Sequence, residues 1–221
     1  MYAYNTKSFI HYIESDIREV GYLEDHEGAS GFGHGALFVQ LNNGNYAFFE
    51  IVGLSSDTNG ISEYAKSGYV YSDKWGSKTL VLSNSENYFP SKKMSEKLGK
   101  PGRSGALYRI FENKVDMFSV LERMGFDETV TFKTTKEKAA IIYETAIESG
   151  KEFKDYNLVF NSCGIYANKA LTAPGSNINF INENAILFPF SSAIPNIIGG
   201  NLLMANPEAK VEKIKKGDIQ K

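Results

Sequence analysis

The spacing of apolar and polar positions changes period several times along this chain, and each change marks an element. Residues 7–20 set Phe9, Ile10, Ile13, Ile17 and Val20 at helical spacing behind Ser8, a capping residue type, which predicts a short amphipathic helix. A polar, glycine-containing loop from Glu24 to Gly33 follows. Gly35 to Leu41 then reads as a strand and Tyr46 to Val52 as its return, joined by Asn42-Asn43-Gly44-Asn45. Asn-Gly between apolar runs is the strongest short-range hairpin signal, because the favoured two-residue turn needs positive φ. Ser55 to Gly60 reads as a polar loop. Further strand-like runs are Gly68 to Tyr71, Thr79 to Leu82 and Ala106 to Phe111. The Ser-, Asn-, Lys- and Gly-rich stretch from about 83 to 105 reads as a loop or insertion.

Val115 to Met124 predicts a short helix with Val115, Phe118, Leu121 and Met124 on one side, and Thr129 to Phe132 another strand. The clearest helical pattern is Thr135 to Glu148. Thr134 or Thr135 caps it, Ala139, Ile142, Tyr143, Ala146 and Ile147 form its buried stripe, and Gly150 stops it. A last helix is expected from about Ser162 to Leu171, ahead of a Pro- and Asn-rich C-terminal third. Internal repeats and interdomain linkers are not evident. The expectation is a single α+β domain over residues 1–221, an antiparallel sheet packed against helices, with about 205–221 as a flexible basic tail.

Composition narrows the function classes. At 221 residues, 42% hydrophobic and 13% aromatic, the chain can bury a substantial core. A net charge of −2 gives no electrostatic footprint for nucleic acid, and Lys210, Lys213, Lys215, Lys216 and Lys221 read as a solvated tail. One cysteine excludes an intramolecular disulfide framework and a cysteine-rich zinc site, and no metal or cofactor is implied. The apolar stretches Ala185 to Phe190 and Ile194 to Leu203 are interrupted by Pro189, Pro195 and Gly199-Gly200, too short and broken to span a bilayer. No basic segment precedes an apolar run at the start, so a secretory signal is not expected. The chain reads as cytoplasmic in its producer, with any delivery left to a specialised secretion system.

The candidate chemistry lies in three residues. Cys163 opens a helix, where unpaired backbone N–H groups and the helix dipole favour the nucleophilic thiolate, and Gly164 leaves backbone open beside it. The plainer reading of a lone cysteine is a packed core thiol. His34 stands at the mouth of the first hairpin strand among Gly31, Gly33 and Gly35, placed to act as a base. Residues 28–35 are glycine-rich but lack the register of a phosphate loop and precede a strand. His11 and His26 read as surface residues. Glu50 interrupts the apolar return strand. It is either solvated or, across the hairpin, within reach of His34, where it would fix the tautomer and stabilise the imidazolium. Register decides this, since a slip of one residue turns Glu50 to the other face.

Together these segments resemble the circularly permuted branch of the NlpC/P60 papain-like superfamily, which includes the YiiX-like and lecithin–retinol acyltransferase-like groups. Gly33-His34-Gly35-Ala36-Leu37-Phe38-Val39 is similar to its Gly-His strand, Phe48-Phe49-Glu50 to its aromatic-aromatic-Glu strand, and Asn161-Ser162-Cys163 to its Asn-x-Cys helix start. With Tyr156-Asn157-Leu158 upstream, the same segments also resemble tail domains of Rhs-type polymorphic toxins, with Ser162 where those carry a second asparagine. The resemblance covers residues 30–55 and 153–175. It implies a papain-like cysteine hydrolase with Cys163 as nucleophile, His34 as base and Glu50 as its orienting partner. It also implies a peptide or acyl substrate, for example in peptidoglycan, and an antibacterial effector met by an immunity protein. An acyltransferase of the same fold, using the apolar segment Phe188 to Leu203 as a lipid groove, and a binding module with an idle thiol are the alternatives.

Overall fold

Residues 16–27, 33–54, 60–62, 64–85, 103–154, 156, 162–180 and 194–214 are described by the computed structural model. They form strands β1 (Ile17–Asp25), β2 (His34–Gln40), β3 (Tyr46–Leu54), β4 (Val70–Ser72), β5 (Lys78–Ser85) and β6 (Arg103–Phe111). Helix α1 (Lys114–Met124), strand β7 (Glu128–Thr135) and helices α2 (Lys136–Lys151), α3 (Cys163–Leu171) and α4 (Pro195–Ala205) follow, and strand β8 (Lys210–Lys213) comes last. The strands hydrogen-bond in the order β4-β5-β6-β3-β2-β1-β7-β8, every pair antiparallel, so the molecule is mixed α/β around one eight-stranded antiparallel sheet.

Both faces of the central strands are covered. On one side Val20, Tyr22, Leu37, Val39, Phe49 and Ile51 pack against Ala139, Ile142 and Ala146 of α2, Tyr166 and Ala167 of α3, and Ile198 and Leu202 of α4. On the other, Ala36, Phe38 and Phe48 meet Met117, Val120 and Leu121 of α1, with Phe126 just beyond its end. This explains the near-continuous apolar composition of β2 and β3. A half-solvated sheet would alternate, whereas strands buried on both faces do not.

The hairpin forms where Asn-Gly placed it, with Leu41 N–H donating to Asn45 O at 2.7 Å and Gly44 at φ 87°. Asn113 caps α1 by accepting from Asp116 N–H at 2.9 Å, and Gly125 ends it in the left-handed region at φ 107°.

Other expectations are corrected. Residues 17–20 are not the end of a helix: they begin β1, which also takes Glu24 and Asp25 out of the expected loop. Ile17 and Val20, three apart, share a face only in a helix, but pairing with β7 and, from Val20 on, with β2 decides in favour of the strand. Residues 7–15, with His11, lie outside the described residues, as do 28–32 (with Gly31), 55–59 and 86–102. Gly150 does not stop α2. It is buried inside the helix, where a Cβ would overlap Leu82 Cδ1. The expected tail is corrected over its first part, because Lys210–Lys213 extends the sheet beside β7 and Ile214 is buried, while 215–221 lie outside the described residues. Among the described residues no helix is long and apolar enough to cross a membrane.

Candidate active site

Two turns of sequence bring the site together. Ser162 accepts from Ile165 N–H at 3.3 Å and caps α3, which makes Cys163 the first helical residue. On the sheet, His34 is the first residue of β2, and the register Ala36↔Glu50 places Glu50 on β3 within reach of it. The strand and helix approach closely because both carry glycine at the junction. A Cβ on Gly35 would lie 3.2 Å from Gly164 Cα and overlap the Tyr22 hydroxyl.

Cys163 and His34 face each other across this junction, and each moves the other's titration. Burial alone would push the thiol up. The His34 charge and hydrogen bond, the Gly35 N–H and the Tyr156 hydroxyl bring it below its usual value instead. Burial alone would push the imidazole down, and the Cys163 charge and hydrogen bond, followed by Glu50, lift it well above its usual value. Thiolate beside imidazolium is the state these shifts favour. The Tyr156 hydroxyl lies 3.9 Å from Cys163 Sγ, while Asn157, Leu158 and Asn161 lie outside the described residues.

Glu50 is buried, not solvated. His34 Nε2 donates to its Oε2 at 3.3 Å, and Arg109 Nη1 donates to its Oε1. Burial favours the neutral acid, but the Arg109 charge and then the His34 bond hold the carboxyl below its usual range. Phe126 flanks His34 with ring centroids 5.4 Å apart. Gln40, at the far end of β2, accepts from Glu19 N–H at 3.1 Å and cannot reach the imidazole.

Sequence reasoning missed three participants. Arg109 on β6 and Asp73 after β4 are both buried and joined by a 2.9 Å ion pair. Tyr22 is fully buried against Gly35 and Gly164, and its hydroxyl donates to Pro195 O at 3.2 Å. Only Arg109 offered a signal, a charge at an inward position of a strand, which is legible once register is known.

His26, expected at the surface, is partly enclosed: its Nδ1 meets Asp127 Oδ1 at 2.7 Å and its Nε2 lies 3.6 Å from Glu24 Oε2. Glu24, His26 and Glu128 offer ligand atoms all within 4.8 Å of one another, the one such group among the described residues. One of its carboxylates is already paired, since Lys213 Nζ lies 2.7 Å from Glu128 Oε2. No protein-family model matches this chain, and no curated protein or solved structure is detectably similar to it.

Proposed function

We propose that the chain is a papain-like cysteine hydrolase, with its histidine strand ahead of its cysteine helix in the permuted NlpC/P60 order, that cleaves an amide bond. The observation that carries the reading is the unbroken succession Cys163–His34–Glu50, in which each member shifts its neighbour towards the ionised form. Cys163 Sγ attacks the carbonyl carbon as thiolate. The backbone N–H of Cys163, which the helix start leaves without an intrahelical acceptor, receives the oxyanion. With Nε2 held by Glu50, Nδ1 of His34 is left to exchange protons. It passes its proton to the leaving amine as the C–N bond breaks, leaving a thioester. Water, deprotonated by His34, then releases the acid and restores the thiolate. By resemblance the amide belongs to a peptide such as that of peptidoglycan, and the protein acts as an antibacterial effector with a cognate immunity protein.

A second reading has one observation in its favour: Cys163 is only 2% exposed, as expected of an idle thiol in a binding module. A lipid-accepting acyltransferase has less support, because Ile198 and Leu202 of the segment assigned to its groove are spent on the core. Alkylation by iodoacetamide decides between the first two. The hydrolase reading expects reaction at Cys163 well below pH 8, slowed by His34→Ala, and loss of peptide-amide turnover or toxicity in both Cys163→Ala and His34→Ala. Labelling that follows an ordinary thiol titration and ignores His34→Ala would sink it.

A further inference from the structure

Glu50 has two oxygens and a different cation on each. His34 takes one, and Arg109 takes the other from β6, whose register with β3 sets Arg109 opposite Phe48, two places from Glu50 along the same buried face. The guanidinium is fixed at its other edge as well. Its Nε donates to Asp73 Oδ2 at 2.9 Å, and Asp73 is itself held by Trp75 N–H at 2.9 Å, Ser77 N–H at 2.8 Å and the Thr79 hydroxyl at 3.1 Å. Arg109 is 0% exposed, Glu50 1% and Asp73 7%. Apolar side chains of similar volume would stabilise such a core at least as well, so stability alone does not account for three buried charges in a row.

We propose that Arg109, anchored by Asp73, is a positioning residue that keeps Glu50 ionised and aimed at His34 in both protonation states of the imidazole. The purpose of this arrangement rests on the hydrolase reading. In that cycle His34 gives a proton to the leaving amine and takes one back from water, so the imidazole is neutral in between. Whenever the imidazole is neutral, a Glu50 facing it alone would be a solitary buried anion and would draw a proton to itself. The proton meant for the leaving group would then be shared with the wrong acceptor. A guanidinium does not deprotonate in proteins, so its charge beside Glu50 is constant through the cycle. Its planar fork also fixes which oxygen Glu50 turns to the imidazole.

Among the described residues the ionisable groups beside His34 are Cys163 from α3, Glu50 from β3 and, paired with it on β1, Asp25, whose Oδ1 accepts from Glu27 N–H at 3.1 Å. Removing the thiol therefore isolates the carboxylate side. In the full chain carrying Cys163→Ala, ¹³C and ¹⁵N NMR would follow the Glu50 carboxyl and the His34 ring through the imidazole titration. Glu50 is expected to keep the carboxylate shift throughout; a neutral-acid shift at any pH where His34 titrates overturns the proposal. In the same background Arg109→Gln should lower the His34 midpoint by about one pH unit or more, as Glu50→Gln should, while the two together move it no further. Arg109→Lys should restore at least half of the loss. An unchanged midpoint in Arg109→Gln, with only a lower melting temperature, would make Arg109 structural and end the proposal. Should Arg109→Gln fail to fold, the Glu50 carboxyl shift and the Arg109→Lys midpoint, which must lie closer to that of the parent than to that of Glu50→Gln, decide it. Ordinary alkylation of Cys163 in the unsubstituted chain would end the hydrolase reading instead, and these titrations would be unaffected by it.

Discussion

Glu50 and Glu24 are carboxylates buried to nearly the same degree, 1% and 3% exposed, each beside a histidine, and they titrate in opposite directions. Burial pushes both upward. At Glu50 a buried guanidinium reverses that push, and the carboxyl ends below its usual range. At Glu24 the opposing groups are a half-exposed His26 at 3.6 Å and one backbone N–H, from Gly199 at 3.2 Å, and the carboxyl rises from 4.5 to about 7. Depth does not decide whether a buried acid is charged; the permanence and closeness of its cation do.

Three substitutions press on that contrast. The largest effect is expected from Arg109→Met, which strands Glu50 and Asp73 without their cation. A denaturant melt at pH 7 should show a loss of about 3–5 kcal/mol, and a loss below about 1 kcal/mol would mean that water or a neighbour takes over the charge.

Glu24→Gln should do the opposite. A carboxyl whose folded pKa lies above its unfolded value binds more protons folded than unfolded between the two, so its contribution falls as pH rises from 4.5 towards 7. The substitution should therefore stabilise the protein by about 2 kcal/mol at pH 8 and by almost nothing near pH 4. Equal effects at both pH values would show that Glu24 is not the group that titrates. Glu50 carries the reverse sign: its contribution is full above its unfolded pKa and is lost as pH falls through its depressed folded value.

The smallest effect is expected from Gly199→Ala. The new Cβ would overlap the Glu24 carboxylate and push it off the Gly199 N–H, while alanine improves the helix. A net loss of about 1 kcal/mol, greater at pH 8 than at pH 5, is the expected outcome in thermal melts. A gain in stability at pH 8 would show that Glu24 relaxes freely.

The same contrast explains how much of the site could be read from residues alone. The hairpin and the helix opened by Cys163 follow from local signals, Asn-Gly and a capping serine, whereas the nearness of Glu50 to His34 was one of two readings that the register decides. Arg109 and Asp73 carry no such signal, because a charge in a strand reads as solvated until both faces of the sheet are known to be covered. Strand β1 escaped for the related reason that Val20 to Leu23 are buried between two neighbouring strands, and a doubly covered strand loses its period of two. Helix α4, with Pro195 at its start and Gly199-Gly200 inside, looked like a broken apolar run. Its helical form rests on packing against β1 and α3, not on propensity.

The order of strands in the sheet also bears on when the site can exist. The β1–β7 pairing, the His26–Asp127 contact across 101 positions and the Tyr22–Pro195 bond across 173 all close long loops. Such closures cost chain entropy before they return any contact energy, which makes assembly slow. A ribosome that has released only β1 to β7 has made His34, Glu50 and Arg109 but not Cys163. On the proposed hydrolase reading the growing chain therefore carries no nucleophile until α3 emerges.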